Sequence, residues 1–234
     1  MKRVLKKTLD NSYTIFVPEF NEHFHSVNGA VSESIHVFIR NGLDFIRNSG
    51  LVGQGHAISI LEVGLGTGLN VCLTHQHSND LQIEYTALEP FPLDEPVWRA
   101  LNYEEWINMG IFTSVHESEW GIRNRMTAGL SLSLMKLKTT LQDFNSTEKF
   151  DLIYFDAFAP AVQPEIWDEE TFTKLFHNTN DGGALVTYCA KGSVKRALSS
   201  SGFTVETLPG AAGKREMVRA VKEKRWYLKE KPPL

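Results

Sequence analysis

A run of three glycines at alternate positions could hold a bulky ligand close to the backbone. Gly64, Gly66 and Gly68 directly follow an apolar segment at residues 57–63. Glycines let a chain turn sharply and approach a ligand closely. The dinucleotide fingerprint would need its third glycine at the position of Leu69, so the spacing does not indicate a nucleotide diphosphate.

Two carboxylates accompany these glycines and favour a positively charged ligand. Glu62 lies two residues before Gly64, and Glu89 ends the next apolar segment, 83–88. Glu62 would repel a pyrophosphate, whereas it suits a cationic group. An acidic residue at the end of a second strand is placed to accept hydrogen bonds from both hydroxyls of a ribose.

The E-x-G-x-G-x-G pattern of residues 62–68 resembles motif I of the class I S-adenosylmethionine-dependent methyltransferases. This resemblance implies S-adenosylmethionine as the cofactor, whose ammonium and sulfonium groups are both positive. It implies further that Asp143 faces the adenine, with Phe144 packed on the ring. Asn70, just after the glycine run, is also included among the expected cofactor contacts.

Asp156 is the candidate catalytic residue, because it follows the apolar segment 150–155 and site residues concentrate at strand ends. An alkylamine has a pKa of about 10.4 and is mostly protonated at neutral pH. Asp156 could orient its lone pair or accept its proton, and could also contact the cofactor. Phe158 could form the wall of the pocket. Alternatively, Asp156 caps a turn and Phe158 is ordinary core.

Amine methyltransferases often have a D/N-P-P-Y/F motif here, but this chain has Ala157 in place of the first proline.

Longer motifs resemble one family over nearly the whole chain. They are ESIHVFI at 33–39, DAFAPA at 156–161, QPEIW at 163–167, TYCAKG at 187–192 and GAAGKREM at 210–217. Together they are similar to the methyltransferase module of the tRNA 5-methylaminomethyl-2-thiouridine biosynthesis family. The resemblance implies methylation of the amine of wobble 5-aminomethyl-(2-thio)uridine in tRNA. The chain ends at Leu234 without the FAD-dependent oxidase domain often fused to this module. We therefore expect either a separate enzyme that supplies the amine or a stand-alone form with a shifted substrate.

Basic residues are the candidate contacts to RNA. Lys214 and Arg215 lie between glycines and are predicted to form a mobile loop that holds phosphates or closes over a flipped base. Pro160 and Lys191 are further candidate substrate contacts. The basic tail could extend the phosphate track through Lys222, Lys224, Arg225, Lys229 and Lys231. Alternatively, these side chains are simply solvated.

The elements that must position these residues alternate between apolar strands and helices. This pattern predicts a doubly wound α/β domain of the class I methyltransferase type, with a mostly parallel sheet covered on both faces. A strand is expected at 130–134, a turn at 181–183 and a helix that begins with Ser193 as its cap. An antiparallel strand pair is expected at 203–208 and 216–221. Residues 1–55 are predicted to add a small β-hairpin and a helix at 31–47, the catalytic core to span 56–221, and the basic tail 222–234.

Composition limits the remaining possibilities. The chain has 24 basic and 28 acidic side chains and a net charge of −4, so tRNA would dock through a local patch. Cys72 and Cys189 lie in apolar segments and are expected to be reduced core thiols. No histidine stands at metal-ligand spacing, so no metal is expected. With neither a signal peptide nor a membrane-length apolar run, we expect a cytoplasmic protein.

Two other functions are compatible with this pattern. A small-molecule amine methyltransferase or an aminopropyltransferase would share the fold, although the latter needs a more acidic site than the loop at Lys214 suggests. A non-catalytic RNA-binding protein would also share it. That alternative predicts that Asp156→Ala leaves function intact.

Overall fold

An eight-stranded mixed sheet forms the centre of the computed structural model, which describes residues 1–50, 57–78, 81–126 and 132–223. Within these residues the strand order is β10-β11-β9-β8-β4-β5-β7-β6. The strands are β4 (Ile58–Val63), β5 (Ile83–Leu88), β6 (Arg123–Arg125), β7 (Leu132–Leu137), β8 (Phe150–Phe155), β9 (Thr179–Thr187), β10 (Thr204–Pro209) and β11 (Glu216–Val221). The start of the strand expected from residue 130, and the tail residues Lys224, Arg225, Lys229 and Lys231, lie outside the described residues.

Parallel pairing brings the ends of the central strands to one edge. Strands β7, β5, β4, β8 and β9 run parallel, whereas β6, β10 and β11 pair antiparallel with their neighbours. Val63 is in register with both Leu88 and Phe155. The residues that follow these three strand ends therefore emerge side by side. The predicted fold class and the C-terminal antiparallel pair are confirmed.

Helices cover both faces of the sheet. The helices are α1 (Ala30–Ser34), which continues as a π-helix (Ile35–Leu43) into α2 (Asp44–Asn48), then α3 (Leu69–His77), α4 (Glu95–Arg99), α5 (Met109–Glu117), α6 (Glu169–Asn178) and α7 (Gly192–Ser200). Successive strand residues face opposite layers, so Tyr154 packs in the cluster with α1 to α3, and Phe155 in the cluster with α6 and α7.

Two local predictions were wrong. The turn expected at residues 181–183 lies inside β9, which is bulged opposite Phe150 and Leu152. A Cβ at Gly183 would lie 2.8 Å from the carbonyl oxygen of Asp151, so close strand approach explains this glycine. Ser193 does not cap α7; the N-cap is Lys191, without a side-chain cap hydrogen bond.

The amino-terminal segment is a three-stranded antiparallel sheet rather than a hairpin. Its strands are β1 (Val4–Lys7), β2 (Tyr13–Val17) and β3 (Glu22–His23). Arg3 donates to the carbonyl oxygens of Phe91 and Pro92 at 2.7 and 3.0 Å, which ties this sheet to the loop after β5. In the described residues, no helix is long and apolar enough to cross a membrane, and no cluster of three or more metal-ligating side chains occurs.

Candidate active site

A cavity of about 540 Å³ opens at the carboxyl ends of β4, β5 and β8. Open α/β sheets bind their ligands at this edge. Six of the residues predicted from the sequence line it: Gly64, Gly66, Glu89, Asp156, Phe158 and Lys214. The fold therefore brings together residues from distant parts of the chain.

The first glycine of the run lets two strand ends approach each other closely. Gly64 has a φ of 92°, and a Cβ there would lie 2.6 Å from the carbonyl oxygen of Asp156. The Asp156 amide donates to the Val63 carbonyl at 3.0 Å. Any side chain at Gly64 would thus displace the segment that carries Asp156.

Glu89 is held by two backbone amides. Its Oε2 accepts from Gly66 N and its Oε1 from Phe91 N, both at 2.9 Å. Burial raises the pKa of Glu89, and these two hydrogen bonds oppose the rise. Each carboxylate oxygen retains a lone pair for a ligand that enters the cavity.

The side-chain amide of Asn70 bridges two carboxylates, one in β4 and one in the segment after β8. Asn70 Nδ2, in the first turn of α3, donates to Glu62 Oε1 at 2.9 Å and to Asp156 Oδ2 at 2.8 Å. Glu62 is fully buried, and burial raises its pKa well above the ordinary value. Glu62 and Asn70 do not line the cavity among the described residues, so they reach it through Asp156.

The carboxyl group of Asp156 faces the cavity and is a weaker acid than an ordinary aspartate. Desolvation raises its pKa to about 7, and the negative charge of Glu33 acts in the same direction. The hydrogen bond from Asn70 and the positive charge of Lys214 act in the opposite direction. A carboxyl group with this pKa changes protonation state near neutral pH, as proton-transfer groups do.

Two residues expected at the adenine lie elsewhere. Asp143 Oδ2 accepts from Thr140 Oγ1 at 2.7 Å, and Phe144 is packed into the core. Neither lines the cavity in the described part of the chain; Leu141 and Gln142 line it instead. The chain turns after β7 ends at Leu137, and the cavity wall here includes residues two positions before the predicted ones.

Five further sequence candidates lie outside the lining formed by the described residues. Gly68 is the left-handed N-cap of α3, with a φ of 73°. Pro160 is partly buried, and Lys191 and Arg215 are exposed. Lys222 donates to the carbonyl oxygens of Phe176 and Thr179, so it is engaged in the fold.

Lys214 faces the cavity rather than solvent. Its Nζ lies 2.6 Å from Glu33 Oε1 and 4.0 Å from the ring centroid of Tyr188. The loop expected to be open is a hydrogen-bonded turn, with Lys214 N donating to Ala211 O at 2.9 Å. Lys214 is therefore paired with Glu33 within the protein, and its role as a phosphate contact stays a prediction.

The amino-terminal segment supplies cavity residues that the sequence argument missed. Phe20 and Phe24 make edge contacts with Phe158 at centroid distances of 5.8 and 5.3 Å. His25 Nε2 lies 2.9 Å from Thr67 Oγ1, and burial lowers the pKa of His25 to about 4. Glu33 stood inside a matched motif, but nothing in the sequence pattern singled out the other three.

The comparison with protein families decides the class of this site. A model of S-adenosyl-L-methionine-dependent methyltransferases matches residues 104–223, which is more than half of the chain. The chain belongs to this methyltransferase family. The cofactor predicted from the glycine run, S-adenosylmethionine, is thereby confirmed.

Relatives of this methyltransferase resemble it over nearly its whole length. The tRNA 5-methylaminomethyl-2-thiouridine biosynthesis bifunctional protein MnmC of Leptospira interrogans is 30% identical over 223 residues, covering 90% of this chain and 34% of that protein. Its counterpart from Ralstonia nicotianae is 27% identical and covers 94% of this chain and 34% of that protein. The methyltransferase thus spans about a third of the length of these curated relatives. The resemblance stated from the sequence motifs is confirmed.

A solved structure agrees on the fold of the methyltransferase. MNMC2 from Aquifex aeolicus superposes with a TM-score of 0.78 at 24% identity, covering 95% of this chain and 71% of that one.

Proposed function

We propose that this methyltransferase transfers a methyl group to the amine of wobble 5-aminomethyl-(2-thio)uridine in tRNA, giving 5-methylaminomethyl-(2-thio)uridine. The printed name of the curated relatives, tRNA 5-methylaminomethyl-2-thiouridine biosynthesis protein, supports this substrate. The observation that carries the proposal is Asp156, a carboxyl group with a pKa of about 7 at the wall of the cavity.

The cavity fits S-adenosylmethionine. Its volume of about 540 Å³ is in the range of small-molecule sites. Glu89, already oriented by Gly66 N and Phe91 N, would accept hydrogen bonds from the ribose hydroxyls. The backbone at Gly64 and Gly66 would lie against the cofactor, and Leu141 and Gln142 would form the wall that the sequence assigned to Asp143 and Phe144. When bound, the cofactor supplies an electrophilic methyl group on a sulfonium.

Asp156 would act on the nucleophile. The substrate nitrogen must be unprotonated to use its lone pair as the nucleophile. The bound cofactor would supply the methyl group, and its sulfur would keep the electron pair of the broken S–C bond. The nitrogen must lose a proton in the process, and the carboxylate of Asp156 would accept it. Asn70 would hold that carboxylate in place through its 2.8 Å hydrogen bond.

Aromatic side chains at the mouth suit a nucleobase. Phe158 contacts Phe20 and Phe24, and Phe20 is 41% exposed while lining the cavity. Single-stranded bases that leave a stack are commonly received on such rings. The wobble base would therefore enter against Phe20 and Phe158, with its amine directed toward Asp156.

The supply of the amine requires another reaction. The curated relatives are named as bifunctional proteins, and this chain spans about a third of their length. An FAD-dependent oxidase, or another enzyme that exposes the amine, would act before this methyltransferase. The cytoplasm, where tRNA is modified, is the proposed compartment.

The proposal is tested with tRNA from cells that lack this activity. Incubation with methyl-labelled S-adenosylmethionine, followed by mass spectrometry of the nucleosides, should give labelled methylaminomethyluridine. Label found only in small amines would instead indicate the alternative, a small-molecule amine methyltransferase.

A further inference from the structure

A cation of the protein itself occupies a charged corner of the cavity. The ammonium of Lys214 lies 2.6 Å from Glu33 Oε1 and 4.0 Å from the centroid of the Tyr188 ring. All three side chains line the cavity that Asp156 also lines. A carboxylate and an aromatic face around one ammonium form the kind of pair that recognises organic cations.

The two partners of Lys214 are fixed by other contacts. The side chain of Glu33 is only 7% exposed, and its Oε2 accepts from Ser26 N at 2.8 Å. Tyr188 Oη donates to the carbonyl oxygen of Ala157 at 2.9 Å. The carboxylate and the ring therefore keep their positions whichever cation lies between them.

Only the side chain of Lys214 has to move for its ammonium to leave this corner. Its side chain is 32% exposed, and it reaches Glu33 from the turn between β10 and β11. A lysine side chain has four rotatable carbons, so its ammonium can move by several ångströms while its backbone stays in place. Glu33, unlike Lys214, is buried. A buried carboxylate without a partner costs free energy.

We infer that Glu33 and the ring of Tyr188 form the subsite for the substrate's ammonium group, and that Lys214 fills it until the substrate displaces it. The ligand class is a primary alkylammonium. This inference rests on the proposed function, because that function supplies an aminomethyl group as the physiological ligand. Glu33 would bind the incoming ammonium and Asp156 would then accept its proton.

The subsite can be tested without tRNA, using methylammonium chloride as the probe. Lys214→Ala removes the resident cation and leaves Glu33 unpaired, so its Tm should fall. Methylammonium should raise that Tm in a saturable manner, and the same concentration of sodium chloride should not. The Glu33→Gln/Lys214→Ala double variant should show no methylammonium effect. Lys214→Gln, which keeps most of the stem, serves if Lys214→Ala does not fold.

Lys195→Ala is the matched control. Lys195, in α7, pairs with Glu216 of β11 at 2.8 Å, and neither residue lines the cavity among the described residues. Methylammonium should act on Lys195→Ala no more than sodium chloride does. Equal responses of Lys195→Ala and Lys214→Ala, or no saturable response of Lys214→Ala, would overturn the subsite.

Kinetics with aminomethyluridine tRNA distinguish two roles of Lys214. The substrate could displace Lys214 from the subsite, or Lys214 could bind the RNA directly. Removal of an internal competitor should lower KM for tRNA in Lys214→Ala, by roughly fivefold if the lysine fills the subsite most of the time. Glu33→Gln should raise KM at least about tenfold, because a charge-assisted contact is lost. A rise of KM in Lys214→Ala would overturn displacement. If wild type does not methylate tRNA but methylammonium still restores Lys214→Ala, the proposed function fails and the ammonium subsite stands.

Discussion

Glu62, in β4, and Asp156, which follows the neighbouring parallel strand β8, are held by the same hydrogen-bond donor. The two hydrogens of the Asn70 amide point to Glu62 Oε1 at 2.9 Å and to Asp156 Oδ2 at 2.8 Å. The fully buried Glu62 thus helps to fix the position of Asp156 at the cavity without reaching the cavity itself. The carboxylate of the glycine motif has a structural link to the candidate catalytic residue.

Asn70→Ala should therefore affect both stability and activity. It leaves two carboxyl groups without their shared donor, which we expect to lower the free energy of unfolding by about 1–3 kcal/mol. Methyl transfer should fall as well, since Asp156 loses its anchor. Urea unfolding and initial rates measure the two effects. The exposed Asn145, whose Nδ2 donates to Asp143 O at 3.3 Å, provides the control variant Asn145→Ala. Similar losses in both variants would contradict the proposed role of the bridge.

Asp156→Asn should slow methyl transfer with both substrates saturating. The variant keeps the size of the side chain but cannot accept a proton, and loss of such a group lowers kcat by about 10²- to 10⁴-fold. Asp181→Asn, at an exposed position of β9, is the control and should retain its rate. A kcat of Asp156→Asn close to that of wild type would remove Asp156 from the reaction.

The pH dependence follows from the raised pKa of Asp156. This carboxyl group titrates at about 7 in the folded protein and at 3.8 ordinarily. Below pH 7 it is protonated and cannot act as a base, so the rate should rise through neutral pH, and Asp156→Asn should lack this rise.

The same pKa sets a stability effect of defined sign. Between its ordinary pKa of 3.8 and about 7, the folded state binds more protons than the unfolded state at Asp156, so its contribution to stability decreases as pH rises. Urea unfolding across this range should show wild type losing stability relative to Asp156→Asn. A constant difference would show that the pKa is not raised.

Glu89→Gln should weaken cofactor binding. The amide can no longer accept from two backbone N–H groups and a ribose at once, and we expect an affinity loss of about tenfold or more. Calorimetry should show equal losses for S-adenosylmethionine and S-adenosylhomocysteine, which have the ribose in common. Glu84→Gln, at an exposed position of the same strand, should bind normally. Unchanged affinity in Glu89→Gln would place the ribose elsewhere.

Phe20→Ala should weaken tRNA recognition and leave cofactor affinity unchanged. Stacking of one base on an aromatic ring contributes about 1–3 kcal/mol, or roughly fivefold to over a hundredfold in KM for tRNA. Leu9→Ala is the matched control, because Leu9 is 79% exposed in the turn between β1 and β2 and does not line the cavity among the described residues. Equal KM values for the two variants would exclude stacking on Phe20.

The position of a residue could be predicted from a local sequence pattern where a single strand and the turn after it determine that position. The glycine run, Glu89 and Asp156 all follow apolar strands, and the parallel register aligns those strand ends. The sequence placed Asp143 at the cavity wall after β7, whereas Gln142 lies there. The length of the turn decides between these two residues, and it has no clear sequence signal. In β9, pairing with β8 overrode the turn preference of residues 181–183.

Contacts between segments that are far apart in the sequence could not be predicted from the sequence. Glu33 and Lys214 are 181 positions apart in the sequence, and only the tertiary fold brings them to 2.6 Å. A basic residue between glycines resembles a solvent-exposed loop unless its acidic partner is known. The same holds for Phe20, which meets Phe158 because the amino-terminal sheet folds over the strand ends.

The most direct measurement is the transfer of a labelled methyl group from S-adenosylmethionine to purified tRNA that carries 5-aminomethyluridine at the wobble position, with wild type and Asp156→Asn assayed side by side. The account predicts labelled 5-methylaminomethyluridine with wild type and at least about a hundredfold less with Asp156→Asn. Wild-type protein that binds the cofactor but leaves this nucleoside unlabelled would contradict the proposed substrate.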